Sequence, residues 1–330
     1  MTEISNLATG VSTPDEETRA RTLRIELQAV IDAEGLAVKA VSEQADIGYS
    51  TLAAWLKGNY AGRTDTVNTK VSSWISAHKA RKKVTAAAPQ ALEYLDIPSA
   101  SAFRSVMEYS QATPDMGLIT GGAGVGKTYA AEEHQRRNPN VWILTADPSM
   151  QTPNAVLREL CDVIGVECGA QQRRLAAIVR RVTGTRGLVI VDEAQHLTTQ
   201  AIDQLRTIHD KARIGVVFIG NEPLRRRIEG MGRDTSHAMI FSRIGMRKRR
   251  DRSQVKDVAM VLDACGLSDQ EIRDRCRFIA MQPGALRQMT KTLNYARVLA
   301  RSSDRDEVSM RDLGDAWKEL TSGELPAVGG

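Results

Sequence analysis

The chain has 330 residues, 42% of them hydrophobic and 26% charged, with a formal net charge of +5. This fits a soluble globular protein with room for two domains, and no apolar run nears the roughly 20 residues that cross a bilayer, so no membrane partner is expected. The polar start, MTEISNLATGVSTPDEETRA, lacks a signal peptide's apolar core, and Cys161, Cys168, Cys265 and Cys276 form no CxxC pair, so reduced thiols in the cytoplasm and no metal cluster are expected.

Residues 1–16 are polar and are predicted to be disordered. A small helical domain is predicted over 17–80. From Glu17 to Glu34 apolar residues recur at helical spacing (Leu23, Leu27, Val30, Ile31), and Gly35 ends the pattern. AVKAVSEQAD and STLAAWLKG predict two short helices, with Gly48 in the turn between them and Ser50 placed to cap the second. That order suits a helix-turn-helix, whose second helix would offer Ser50, Thr51 and Lys57 to a major groove. YSTLAAWLKGNYAG resembles the recognition-helix region of lambda-repressor-like domains; a helical bundle that touches only protein is the alternative. TKVSSWISAHKARKK predicts a fourth helix closing the core with Trp74 and Ile75.

Residues 81–98 read as a linker, with charge, an alanine run and two prolines. A helix, SAFRSVMEYSQ, opens a domain predicted over 99–250. Its strand candidates are MGLIT (116–120), VWILTA (141–146), LVIVD (188–192) and GVVFIG (215–220). They are short continuous apolar runs, as in parallel strands buried on both faces. Amphipathic segments such as TPNAVLRELCDVIG and QRRLAAIVRRVTG separate them. The alternation predicts an α/β domain with right-handed crossovers. A helical lid is predicted over 251–322, and a flexible tail over 323–330.

Gly121-Gly122-Ala123-Gly124-Val125-Gly126-Lys127-Thr128 matches G-x-x-x-x-G-K-[ST], with a strand before it and a helix after it, and these eight residues with Tyr129 are the candidate nucleotide-binding set. Backbone N–H groups of such a loop turn inward around phosphates, and the helix N-terminus adds a favourable dipole. Lys127 can reach the β and γ phosphates of ATP, and the Thr128 hydroxyl can coordinate Mg²⁺. In GLVIVDEAQHL a buried strand delivers Asp192 and Glu193 at its C-terminal end. Asp192 can hold Mg²⁺ through water, and Glu193 can polarise the attacking water. With Glu193 in that role, a hydrogen-bonding part suits His196 better than a general base's. Asn221 follows the next apolar strand, where its amide can orient water or contact the γ-phosphate, although Asn there is often only a turn residue. Arg243, in IFSRIGMR, is placed to reach a neighbouring subunit's nucleotide, and Arg287, in QPGALRQM, to sense the γ-phosphate from the lid; a surface salt bridge is the alternative for each.

Positive charge gathers at Arg225-Arg226-Arg227 and in RIGMRKRRDR (243–252), where Arg247, Lys248, Arg249 and Arg250 suit a phosphate backbone or simply a solvated face. A fifth core strand is due after Arg243, yet this stretch is nearly all basic. Either it is an edge strand or it is turned toward DNA.

Together GGAGVGKT, LVIVDEAQ, FIGNEPL, FSRIGMR and PGALR resemble an AAA+ ATPase. The domain order, with DEAQHL and FSRIGMRKR, resembles more narrowly the MuB family of phage transposition proteins, relatives of the TniB and IstB ATPases. The resemblance implies an AAA+ P-loop NTPase fold, a parallel sheet flanked by helices with a C-terminal helical lid, preceded by an all-α helix-turn-helix domain. It implies a cytoplasmic ATPase, in a bacterial host, that binds ATP and Mg²⁺ and forms homo-oligomeric helical filaments on double-stranded DNA with little sequence preference. It implies delivery of that DNA to a DDE-type, MuA-like transposase, whose stimulation of hydrolysis clears the filament. A helicase loader or replication initiator, and an ATP-switched transcriptional regulator reading an operator, are the competing readings.

Overall fold

The structure, a computed structural model, describes residues 14–87, 94–230 and 242–325, with backbone alone at 14–16, 83–87 and 229–230. The chain forms two compact units, Met1–Ala88 and Pro89–Gly330.

In the first unit the described residues form α1 (Pro14–Glu34), α2 (Val38–Gln44), α3 (Tyr49–Leu56) and α4 (Thr64–Ala87). Helix α1 starts inside the stretch expected to be disordered, because the fixed φ and missing N–H of Pro14 suit a first helical turn. The rest of that expectation, 1–13, lies outside the described residues. Gly35 ends α1 with φ +62°. The cap expected at Ser50 is not found. Gly48 takes the cap position in front of Tyr49, so Ser50 lies one residue inside the first turn and is exposed.

The linker expected from residue 81 begins later, because α4 continues to Ala87. ARKKVTAAA consists mostly of strong helix formers, and the first breaker is Pro89. Residues 88–93 and 326–330, parts of the expected linker and tail, lie outside the described residues.

Leu27, Leu52, Trp55, Val71 and Trp74 form the centre of this unit's core. The Trp55 indole N–H donates to Asn68 Oδ1 at 3.0 Å in the buried interior. Replacing Trp55 with Ala removes the largest buried ring and its hydrogen bond to Asn68, a loss of about 3–5 kcal/mol. The expected result is loss of this unit's cooperative thermal transition, read by circular dichroism on the full chain. An unchanged transition would show that the core does not depend on Trp55.

The second unit carries a five-stranded sheet of order β2-β3-β4-β1-β5. Its strands are β1 (Met116–Gly121), β2 (Val141–Thr145), β3 (Leu188–Asp192), β4 (Gly215–Gly220) and β5 (Ile244–Arg250), and every pairing is parallel. All four apolar runs form strands, as expected. Successive side chains on a strand point to opposite faces, and both faces here are apolar. Val189, Val191, Val216 and Phe218 pack on one side with α7 (Pro153–Ile164), α8 (Arg174–Val182) and α9 (Thr199–Ala212). Leu188, Ile190, Val217 and Ile219 pack on the other with α5 (Pro98–Ala112) and α6 (Lys127–Arg137). Helix α10 (Glu222–Gly230) follows β4.

The basic stretch after Arg243 is an edge strand, pairing with β1 alone. An edge needs only one apolar face, and charge there discourages pairing with other chains. Along β5 exposed residues (Gly245, Arg247, Arg249) alternate with half-buried ones (Met246, Lys248, Arg250).

Beyond β5 come α11 (Val255–Ala264), α12 (Gln270–Ala280), α13 (Ala285–Ser302) and α14 (Met310–Thr321). These helices share the second core layer with α5 and α6. Asp257 ties them to the α/β part: its fully buried carboxylate accepts from the Ser99 N–H at 3.0 Å, the Ser99 hydroxyl at 2.5 Å and the Gln254 N–H at 3.2 Å. One charge thereby serves the N-termini of both α5 and α11. Among the described residues no helix is long and apolar enough to cross a membrane.

Candidate active site

The glycine-rich loop joins the end of β1 to the start of α6. Gly124 (φ +80°) and Gly126 (φ +92°) adopt left-handed backbone that a side chain would strain. A Cβ on Gly124 would lie 2.0 Å from the Gly284 carbonyl oxygen, so loop and lid meet there, whereas one on Gly126 would meet nothing within 4 Å. The loop is thus braced on the lid side and open beside the helix N-terminus. Its other end is held by β5, where the Gly122 N–H donates to the Arg250 carbonyl at 3.0 Å. Val125 is buried beneath the loop, and Ala123 is exposed.

Lys127 Nζ donates to the carbonyl oxygens of Gly121 (3.0 Å) and Gly122 (2.7 Å). Burial pushes the Lys127 pKa down, and the carboxylates of Asp192 and Glu193 oppose that shift. The Thr128 hydroxyl donates to Asp192 Oδ2 at 2.6 Å, joining residues 64 positions apart. A hydroxyl and a buried carboxylate in contact are the oxygen donors Mg²⁺ prefers.

Glu193 has φ 51° and ψ 32°, left-handed values unusual for a residue with a side chain. Its N–H donates to Asp192 Oδ1 at 2.8 Å, and its carbonyl accepts from the His196 N–H at 3.0 Å, which together hold the turn. Strain of this kind gathers where a side chain must be aimed, and here it brings the exposed Glu193 side chain to the cavity wall. His196 is exposed on the same turn.

The cavity holds about 280 Å³. Its lining joins polar and charged side chains (Lys127, Thr128, Glu193, Arg287) to aliphatic ones (Leu95, Ile97, Val261, Leu286). That mixture suits a nucleotide, whose phosphates need charge and whose base needs apolar contact. Tyr129 also lines it. Its hydroxyl accepts from the Leu95 N–H at 3.0 Å, and its ring stacks on Tyr94 with centroids 4.8 Å apart.

Asn221 stands directly after β4, and its Oδ1 is buried without a hydrogen-bond partner among the described residues. Arg243 is not among the residues lining this cavity. Its Nε donates to Asp210 Oδ1 at 2.7 Å, and Arg206 holds the other oxygen of that carboxylate at 2.6 Å. Ile240 and Phe241, which precede it in the motif, lie outside the described residues.

The basic residues divide. Arg225 is folded onto Glu222 (2.5 Å), holding that carboxyl down to about 2, and Arg226 reaches the same carboxylate at 3.2 Å. Arg249 pairs with Asp251 at 2.7 Å. In the helical unit Ser50 and Lys57 are exposed and Thr51 is half-buried.

Gln195 was not singled out by sequence reasoning, and Arg227 was read only as part of a basic run. Gln195 donates from Nε2 to the Glu193 carboxylate, and Arg227 donates to the backbone oxygens of Gln195 and Leu197. Neither spacing names its partner.

A phosphate loop on β1 and an acid pair at the end of β3, with β4 between the two strands in a parallel sheet of this order and helices beyond it, define an AAA+ ATPase. Residues 111–228 match the AAA domain family, and 242–320 match the family described as Mu B transposition protein, C terminal. In this C-terminal match and in the relatives that follow, the chain is similar to the MuB family of phage transposition proteins.

Among its relatives, ATP-dependent target DNA activator B of Escherichia phage Mu is 28% identical over 300 residues, covering 90% of this chain and 95% of the relative. Mu-like prophage FluMu DNA transposition protein B of Haemophilus influenzae is 29% identical, covering 76% and 88%. In fold the chain is similar to Cdc6p of Pyrobaculum aerophilum (TM-score 0.55, 14% identity, 72% of this chain and 71% of that one). It is likewise similar to the Aeropyrum pernix Orc1 protein solved in complex with DNA (TM-score 0.54, 17% identity, 70% and 68%).

Proposed function

We propose that this ATPase assembles on duplex DNA when ATP is bound, offers that DNA as target to a transposase, and leaves it after hydrolysis. The names of its relatives, which join ATP dependence to target DNA, support this reading. The observation that carries the nucleotide part is the Thr128–Asp192 contact beside a cavity that Thr128, Lys127, Glu193 and Arg287 line.

In this reading Lys127 exchanges the Gly121 and Gly122 carbonyls for the β and γ phosphates. Thr128 directly, and Asp192 through water, hold Mg²⁺. When bound there, the ion would supply positive charge against the phosphate oxygens. Glu193 takes a proton from the attacking water, Asn221 orients that water or the γ-phosphate, and Arg287 reports the phosphate to the lid. Arg243 serves a neighbouring subunit's nucleotide, which makes ATP an assembly joint.

For DNA, Arg247, Lys248, Arg249 and Arg250 on the edge strand, with Ser50 and Thr51 on α3 and Lys57 at its C-cap, form the proposed contacts. Contacts to phosphate carry affinity with little sequence preference. Arg225 would have to exchange Glu222 for a phosphate, so it contributes least.

Electron microscopy of the full chain with ATP and plasmid tests the proposal, with Lys127→Ala beside it. Filaments for the natural chain and bare plasmid for the variant are expected. Equal coverage of DNA by both proteins would separate assembly from the nucleotide and overturn it.

A further inference from the structure

Gln195 sits on the turn that follows the acid pair, between Glu193 and the last residue of β4. Its Nε2 donates to Glu193 Oε2. The amide can face only one way there, because a carboxylate accepts and does not donate. Its Oε1 is buried without a partner among the described residues and packs against Gly220, where a Cβ would come within 2.7 Å of it. Asn221 is the next residue. Gln195 thus spans from Glu193 to the residue preceding Asn221. Its own backbone is held from a third direction, by Arg227 of α10, which donates to the carbonyls of Gln195 (3.3 Å) and Leu197.

We propose that Gln195 is a positioning residue for hydrolysis, aiming the Glu193 carboxylate by one hydrogen bond while its own amide is braced against the end of β4. The inference rests on the hydrolytic role proposed above for Glu193. Glu193 is exposed and has several rotatable bonds, so its own packing does not select one rotamer. The Gln195 amide does, and it ties that rotamer to β4. Gly220 leaves room for the amide oxygen and for Leu224, since a Cβ there would come within 2.7 Å of both Gln195 Oε1 and Leu224 Cδ2. Arg227 is explained as well: an arginine from a run that looks like a DNA-facing cluster instead holds the turn carrying Gln195.

The test compares steady-state ATP hydrolysis by the full chain with DNA, and binding of a fluorescent ATP analogue, for Gln195→Met, Gly220→Ala and the double variant. Methionine has the length and shape of glutamine and keeps the packing but cannot donate. Misplacing a reacting group by about 1 Å costs up to roughly 100-fold, so Gln195→Met is expected to lower kcat about 10- to 100-fold. A KM within about twofold of the natural chain is expected, since ground-state binding is untouched. Gly220→Ala, which pushes the amide aside, should reproduce the loss of kcat. The double variant should lose little more than either single one, because one arrangement is being removed twice.

Unchanged turnover in Gln195→Met overturns the proposal, as does a loss confined to KM or independent losses that multiply in the double variant. Glu193→Gln is run beside them. If that variant hydrolyses ATP normally, the hydrolytic role of Glu193 itself fails. If it is inactive while Gln195→Met is active, only the role of Gln195 fails.

Discussion

Glu193→Gln is expected to lower ATP turnover by roughly 10²–10⁴-fold, the range for losing a positioned general base, while ATP binding persists. The substitution changes one oxygen for an NH₂ and leaves the side-chain shape intact. Lys127 keeps its place over the loop carbonyls, and the Thr128–Asp192 contact is untouched. What disappears is the ability to accept a proton from water. Phosphate release should therefore collapse while a fluorescent ATP analogue binds with near-normal affinity. The variant should also remain on DNA longer than the natural chain if hydrolysis ends occupancy, which filament lifetimes by total-internal-reflection microscopy would read. Near-normal phosphate release would move water activation to another group and remove Glu193 from the mechanism.

The legible parts of this molecule were the local ones. A phosphate loop is a contiguous stretch between a strand and a helix, so its eight residues announce it. Buried parallel strands announce themselves as short apolar runs because helices cover both faces. Neighbour relations are another matter. Nothing in the spacing says that β1 lies between β4 and β5, although the basic composition of β5 had offered an edge strand as one of two readings.

Charge was the least legible property. The run Arg225-Arg226-Arg227 resembles a phosphate-binding cluster, yet Arg225 and Arg226 fold back on Glu222 and Arg227 holds the turn of Gln195. The Glu222–Arg225 and Glu222–Arg226 spacings, i to i+3 and i to i+4, were the overlooked signal. At Ser50 a good capping residue was displaced by the glycine two positions earlier, and at Arg81–Ala87 helix propensity outweighed the look of a linker.

Arg243→Ala is expected to cut ATP turnover in DNA-bound oligomers about 10³-fold or more, the scale of a transition-state arginine supplied by a neighbour. In the single chain this arginine is held by Asp210, with side chains 35% and 31% exposed. A half-exposed pair of that kind is worth about 0–1 kcal/mol, whereas a 10³-fold rate effect is about 4 kcal/mol. On the role proposed for Arg243, the Asp210 contact would be a resting place that a γ-phosphate outcompetes. Releasing it costs little, because Arg206 stays on the same carboxylate. An alanine that removed only this surface pair would leave turnover nearly unchanged, so the size of the effect separates the two roles. Subunit mixing sharpens the result. Arg243→Ala chains keep Glu193, and Glu193→Gln chains keep Arg243, so each is silent alone. Where an Arg243→Ala site faces a Glu193→Gln neighbour, the interface contains both intact groups, and mixtures should regain hydrolysis that neither protein shows. Mixtures that stay silent, although they assemble on DNA, would place Arg243 on its own subunit's side of the interface and remove the nucleotide as the joint between neighbours.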